Sequence, residues 1–297
     1  MSTRDQAIRS AQALVDNGLF VSELAELVAR PTESQDPARA NEMQRYLSDL
    51  LMPRLVAAGF DSEIHPNRYG NPFLVARRIE DPHLPTILGY GHGDVTRGQE
   101  GAWHADGAPF VLRQDQDRLY GRGTADNKAQ HLINIQAQEC VIAARGKLGF
   151  NAAWLIEMGE ETGSPGLEAF CQENQDLLGA QVLIASDGPR LSPDVPLVFL
   201  GARGAINFTL SVELRKGAHH SGNWGGLLTD PSVILAHALS TITDARGQIQ
   251  VPEWHPTSLT PDIRALIAKL PLPVGPAIDR DWGDAALTPQ ERVYGWN

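Results

Sequence analysis

Cysteine is almost missing from this sequence. Its 297 residues include two, Cys140 and Cys171, which form no CxxC and no paired framework. A disulfide scaffold is therefore not expected. Long apolar runs are missing too: no segment approaches the ~20 apolar residues of a membrane span. The N-terminal stretch MSTRDQAIRSAQALVDNGLF mixes polar and apolar positions and lacks the unbroken apolar core of a signal peptide. A soluble, cytoplasmic protein is the expectation. Basic charge is in deficit, with 25 Lys+Arg against 36 Asp+Glu and a formal net charge of −11. Phosphate binding calls for clustered Lys and Arg, so nucleic acid is not an expected partner. A divalent metal or a cationic ligand suits the sign better. There is no GxSxG for a serine nucleophile and no HExxH for a single zinc. Gly121-Arg-Gly123 has no third glycine, so it is no dinucleotide fingerprint.

What is present begins with 42% hydrophobic residues, enough for a real core. Residues 5–29 read as helix interrupted at Asn17-Gly18 and stopped by Pro31. Residues 37–58 read as a second helix with Met43, Leu47, Leu50, Leu51, Leu55 and Val56 on its apolar face, and Pro53 as a kink. Short strands are expected at Ser62–Ile64, Phe73–Arg77 and Thr86–Tyr90. A hairpin is expected from Phe110–Leu112 and Arg118–Tyr120, joined by the polar RQDQD. A helix over 126–145, a strand over Phe150–Glu157, a helix over Leu167–Leu178 and a strand over Gln181–Ala185 follow. The alternation suggests βαβ units and a largely parallel sheet covered on both faces. Further on, Ala205–Glu213 alternates like a half-exposed strand, and helices are expected from Pro231 to about Thr243 and near Pro261–Leu270. A domain boundary is placed near Ala202–Gly204.

Four clusters carry chemistry. In LGYGHGDVTRGQ, His92 and Asp94 stand two apart at a strand end, where i and i+2 point the same way. A carboxylate beside a histidine orients a metal-binding imidazole. YGRGTADNK places Asp126 at a helix start, where it also reads as an N-cap. EMGEETGSPG sets Glu160 and Glu161 after a strand, and LIASDG closes another strand with Asp187. Imidazole and carboxylates together suit a divalent metal such as zinc. One member of the Glu160-Glu161 pair can hold metal while the other stays free as a general base.

GHGDV, GRGTADNK, EMGEETGSPG, SDG and HHSGNWGG, in that order, resemble the metallopeptidase M20 family, and HSGNWGG is most similar to its dipeptidase-like branch. The resemblance implies a mixed-sheet α/β catalytic domain covered by helices over residues 1–202. It implies an incomplete α+β lid and dimerisation domain over 203–297. It implies two divalent metal ions, zinc with manganese or cobalt as alternatives, and hydrolysis of an amide bond in a small peptide. An N-acyl-amino-acid deacylase, or a non-catalytic scaffold, is the alternative. By position, His92, Asp126, Glu161 and Asp187 match metal ligands, with Asp126 bridging. Asp94 matches the carboxylate behind His92, and Glu160 the general base. His220 matches a lid histidine that stabilises the oxyanion, in dimeric members from across a homodimer. His104, His131 and His237 read as packing or surface residues, and Arg122 and Lys128 receive no catalytic role. The family often has DDKG where this chain has DNKA, and DPF where it has GAPF. The resemblance also implies a last histidine ligand beyond Asn297. On that basis this chain alone is expected to hold about one metal tightly and to hydrolyse little.

Overall fold

The computed structural model describes residues 2–104, 107–188, 194–199, 207–255, 257–272, 279 and 281–295. The chain divides into two compact units, Met1–Pro189 and Arg190–Asn297. The boundary expected at Ala202–Gly204 lies outside the described residues.

Unit 1 opens with α1 (Thr3–Asp16) and α2 (Leu19–Val28), separated by Gly18 at φ 73°, so the interruption at Asn17-Gly18 is where the sequence places it. Ser2 caps α1 with a reciprocal Asp5 box. The expected second helix is broken into pieces: a 3₁₀ turn at Pro37–Arg39, α3 (Ala40–Arg45), a π segment at Tyr46–Leu51 and α4 (Met52–Ala57). Pro53 lacks the N–H that would bond one turn back, and the widened turn precedes it. Met43, Leu47, Leu51 and Leu55 are buried as the apolar face requires, whereas Val56 is exposed.

The strands are β1 (Asp61–His65), β2 (Phe73–Arg78), β3 (Thr86–His92), β4 (Arg113–Asp115), β5 (Arg118–Tyr120), β6 (Asn151–Glu157) and β7 (Val182–Ala185). The main sheet has the order β1-β2-β6-β3-β7. It is mixed rather than largely parallel: β1/β2 and β2/β6 are antiparallel, β6/β3 and β3/β7 parallel. The first strand of the small hairpin is Arg113–Asp115, not Phe110–Leu112. Asp115 pairs with Arg118, which leaves the two-residue turn Gln116-Asp117 with Gln116 at φ 55°. Polarity misplaced this strand because its residues are half-buried or exposed.

Two clusters of buried side chains sandwich the sheet. Alternate residues of β2 point to opposite faces: Leu74 and Ala76 join Leu24, Leu27, Leu55, Leu132 and Trp154, while Phe73 and Val75 join Leu155, Phe170 and Leu178. The first face is covered by the N-terminal helices and α5 (Lys128–Arg145); the second by α6 (Leu167–Glu173) and α7 (Gln175–Leu178). A single helix was expected over Leu167–Leu178. Asn174 splits it, with its side-chain amide donating to the Phe170 carbonyl at 2.8 Å. Central β6 is buried along its whole length, whereas edge strand β7 is exposed along its own, so the expected cover on both faces does not extend to that edge.

In unit 2 the described helices are α8 (Ser221–Trp224), α9 (Pro231–Ile242) and α10 (Pro261–Ile267). The strand expected at Ala205–Glu213 is not formed over 207–213, and its first residues lie outside the described ones. Alternation alone makes no strand, because backbone N–H and C=O groups need a partner strand, and 207–213 pairs with none among the described residues. No described helix is long and apolar enough to cross a membrane.

Gly89 shows how closely the sheet is packed. A Cβ there would lie 2.7–2.9 Å from the ring of Trp154, which is buried in the neighbouring strand. Gly89→Ala should therefore destabilise the protein by about 1–3 kcal/mol. Urea unfolding will read this as a lowered midpoint; an unchanged midpoint would show that the indole yields freely.

Candidate metal centre

The parallel trio β6-β3-β7 sends its C-terminal ends to one edge of the sheet. Ligands bind at such edges in open α/β sheets. His92 is the last residue of β3 and lies in register with Glu157, the last of β6. Asp187 stands two residues past β7, and Glu160 and Glu161 form a 3₁₀ turn shortly after β6. Asp126 comes from the chain entering α5. The helix cap is Asn127 rather than Asp126, which therefore remains available to the site. The glycines of GHGD answer to crowding. A Cβ on Gly91 would sit 2.8 Å from His131, and one on Gly93 would sit 2.5 Å from Tyr46 and 2.7 Å from Met158.

His92 is fully buried and meets carboxylates on both ring nitrogens. Nε2 lies 2.9 Å from Asp126 Oδ1, 3.5 Å from Asp187 Oδ2 and 3.9 Å from Glu160 Oε2. Nδ1 faces the Asp94 carbonyl at 3.1 Å and its Oδ1 at 3.4 Å. With Nδ1–H donating to Asp94, the Nε2 lone pair is presented to the open side. Asp94, also fully buried, accepts the backbone N–H groups of Glu160 and Glu161, each at 3.1 Å. Asp94 thus meets the imidazole with its carbonyl and carboxylate while the same carboxylate holds the Glu160-Glu161 turn.

The donor atoms of His92, Asp126 and Asp187 all lie within 4.8 Å of one another. Burial pushes the His92 imidazolium down, but Asp126, Asp187 and Asp94 outweigh it and raise the ring to about 12. The Glu160 carboxyl is raised by burial and then by Asp187, Asp94 and Asp126, against the pull of His92. Glu161 is raised by burial and then by Asp126. One imidazolium is insufficient positive charge for this group of carboxylates. A divalent cation fits the donor set, and His92, Asp126 and Asp187 could hold it. His220 belongs to unit 2, where its Nδ1 accepts the Gly222 N–H at 3.1 Å.

Several residues around the cluster escaped the sequence reading. Glu157 is buried and accepts hydrogen bonds from Tyr90 Oη at 2.6 Å and Ser164 Oγ at 2.9 Å, while burial raises its carboxyl. Its signal was a carboxylate ending the apolar run WLIE. Lys128 is fully buried and donates to the Leu27 and Arg30 carbonyls at 2.9 and 2.7 Å. His131 is fully buried and pairs with Tyr46 Oη at 2.7 Å. The Lys128 partners lie 98–101 residues away, so no local pattern marks it; His131, a packing residue as the sequence suggests, reaches Tyr46 85 residues away and Asn127 four residues before it.

Comparison with known proteins places this centre among relatives. The rat protein named Beta-Ala-His dipeptidase is 35% identical over 184 residues, 61% of this chain and 37% of its own length. The mouse protein of that name is 32% identical over 249 residues, 78% of this chain and 50% of its own. Cys-Gly metallodipeptidase DUG1 of Candida albicans is 29% identical over 256 residues, 78% and 51% of the two chains. The chain thus spans about half the length, or less, of these relatives. The crystal structure of human carnosine dipeptidase 1 matches 92% of this chain and 59% of its own, with a TM-score of 0.70 and 25% identity. The sequence profile of peptidase family M20/M25/M40 matches residues 88–280, from the strand that carries His92 to beyond His220 and so over more than half of the chain, which therefore belongs to that family.

Proposed function

We propose that this chain carries the metal-binding and proton-transferring groups of a dipeptidase. The observation that supports this most directly is the buried His92 ring, held by Asp94 on one nitrogen and surrounded on the other by Asp126, Asp187 and Glu160. His92, Asp126 and Asp187 would hold one divalent cation, a workable three-ligand set with an open position. Asp126 and Glu161 would contribute to a second, with zinc, manganese or cobalt as the ions. When bound, such a cation would supply Lewis acidity at this site. Glu160 accepts the proton of the attacking water and delivers it to the leaving amine. Its raised carboxyl suits that exchange, because a base closer to neutrality also serves as an acid. His220, from a lid formed by residues 203–297, stabilises the oxyanion, and a homodimer through that lid would bring it to the partner's centre. The substrate class is small peptides, in keeping with relatives named for Beta-Ala-His and Cys-Gly.

Glu160→Gln, made in an active form of the protein, should lower kcat by about 10²–10⁴-fold while metal content stays nearly unchanged. The amide keeps the shape and loses the base. Asp187→Asn should instead reduce metal content. Elemental analysis after dialysis, with hydrolysis of Beta-Ala-His and Cys-Gly, separates the two. Loss of metal from the Glu160→Gln protein would make Glu160 a ligand and reverse its roles with Glu161.

Metal binding should also release a proton. With the metal-free His92 raised to about 12, the ring is protonated at neutral pH and must lose that proton to bind. Affinity should therefore rise with pH, by about tenfold per unit between pH 6 and 8 for this one proton. Calorimetric zinc titrations in buffers of different ionisation enthalpy will count it. A pH-independent affinity without proton release would show that the ring is already neutral before metal binds, and His92→Ala would then test its place in the ligand set.

A further inference from the structure

Asn127 stands at the N-cap of α5, yet its side chain makes no capping hydrogen bond to that helix. Asparagine is favoured at this position because its oxygen caps the first turn. Here the amide is directed elsewhere. Its Oδ1 faces the His92 backbone N–H at 3.3 Å and His131 Nδ1 at 3.2 Å. Its Nδ2 donates to the Ser186 carbonyl at 2.7 Å and to Gln130 Oε1 at 2.5 Å. The residue is fully buried, and both lone-pair sites and both N–H groups are used.

These partners fix the orientation of the amide. Ser186 offers a carbonyl and His92 a backbone N–H, so Nδ2 must face Ser186 and Oδ1 must face His92. His131 Nδ1 then carries the proton, and its Nε2 accepts from Tyr46 Oη at 2.7 Å. His131 and Tyr46 are fully buried, so this chain of hydrogen bonds is braced by packing. Close approach is possible because position 91 is glycine: a Cβ there would lie 3.0 Å from Asn127 Oδ1.

Each segment that the amide touches carries one member of the cluster. His92 is bonded directly, Asp126 is the preceding residue, and Ser186 immediately precedes Asp187. We propose that Asn127 is a positioning residue whose amide sets the spacing of His92, Asp126 and Asp187, and through it the affinity of this cluster for a divalent cation. The proposal rests on the metal-centre reading given above.

Charge and position make opposite demands at this residue, which makes the proposal testable. Asn127→Asp adds a negative charge beside a cation site, and Coulomb attraction alone would tighten binding. Positioning predicts the reverse, because two acceptors would face each other where Nδ2 met the Ser186 carbonyl. Cobalt(II) titration of the chain, followed by its visible absorption, should show affinity lower by about 10–100-fold in Asn127→Asp and Asn127→Ala, with an altered cobalt spectrum. Circular dichroism and urea unfolding of the metal-free proteins report folding separately. If Asn127→Ala does not fold, the near-isosteric Asn127→Asp decides. Wild-type affinity and spectrum in the folded variants, or tighter binding by Asn127→Asp, would overturn the proposal and leave the metal-centre reading standing. Absence of cobalt binding by the wild-type chain would overturn both.

Discussion

Placing an imidazole at the end of a buried strand with carboxylates on both of its nitrogens costs desolvation and invites repulsion among the acids. That constraint organises the first unit. Asp94 meets it from behind by holding Nδ1 while accepting the two N–H groups of the Glu160-Glu161 turn. The open side keeps an excess of negative charge, which adds to burial in raising the Glu160 and Glu161 carboxyls. Among the described residues, the His92 imidazolium faces it directly, with Arg122 acting on Asp126 in addition. A site with this imbalance favours a multivalent cation, and its selectivity lies in oxygen and imidazole donors rather than thiolates.

The sheet order makes the convergence possible. β3 lies between β6 and β7 and runs parallel to both, so three chain segments leave the same edge beside one another. β1 and β2 extend the sheet on the far side: β2 runs antiparallel to β6, and β1, antiparallel to β2, runs with the trio again and ends at His65 beyond β2. Close packing keeps the strand carrying His92 in place. Gly89 lies against the Trp154 ring, Gly91 against His131 and Asn127, and Gly93 against Tyr46 and Met158. These glycines are contact surfaces.

The strands of the main sheet were legible in the sequence to within a residue or two, because β-branched and apolar runs there are bounded by turns. So were the acidic residues of the cluster, since each sits next to a strand end or a helix start. What stayed hidden was set by tertiary contact. The hairpin register depends on pairing Asp115 with Arg118, and local polarity pointed to the wrong residues. The helix at Leu167–Leu178 broke because Asn174 turns back on the Phe170 carbonyl. Alternation at Phe208, Leu210 and Val212 promised a strand, but a strand exists only when another chain segment completes its hydrogen bonds. Asn127 was read as one letter of a motif, and only its bonds to His92 and Ser186 reveal what the amide does.

Lys128 extends the same argument from the site to the helical layer. A fully buried ammonium with no carboxylate in hydrogen-bond contact is unfavourable, and burial pushes this one down to about 7, with Asp94 opposing. Its Nζ instead donates to the last carbonyl of one helical turn at Leu27 and to the Arg30 carbonyl, and it lies 5.0 Å from the centre of the Tyr46 ring. Those carbonyls belong to the C-terminal end of α2 and the turn after it; Leu27 O also accepts the Arg30 N–H at 3.3 Å and Arg30 O the Thr32 N–H at 2.9 Å, so the lysine occupies the remaining lone pair of each. A long side chain with several donors satisfies both at once, whether it is charged or neutral. The lysine beside Asp126 and Asn127 thus ties the start of α5 to the end of α2, and Tyr46 joins that tie to His131 and Asn127. The rear wall of the centre is therefore one connected polar network inside an apolar layer. Such a network is rigid only when every member has its partner, which is why the residues behind the cluster matter to its geometry as much as the acids that face the open side.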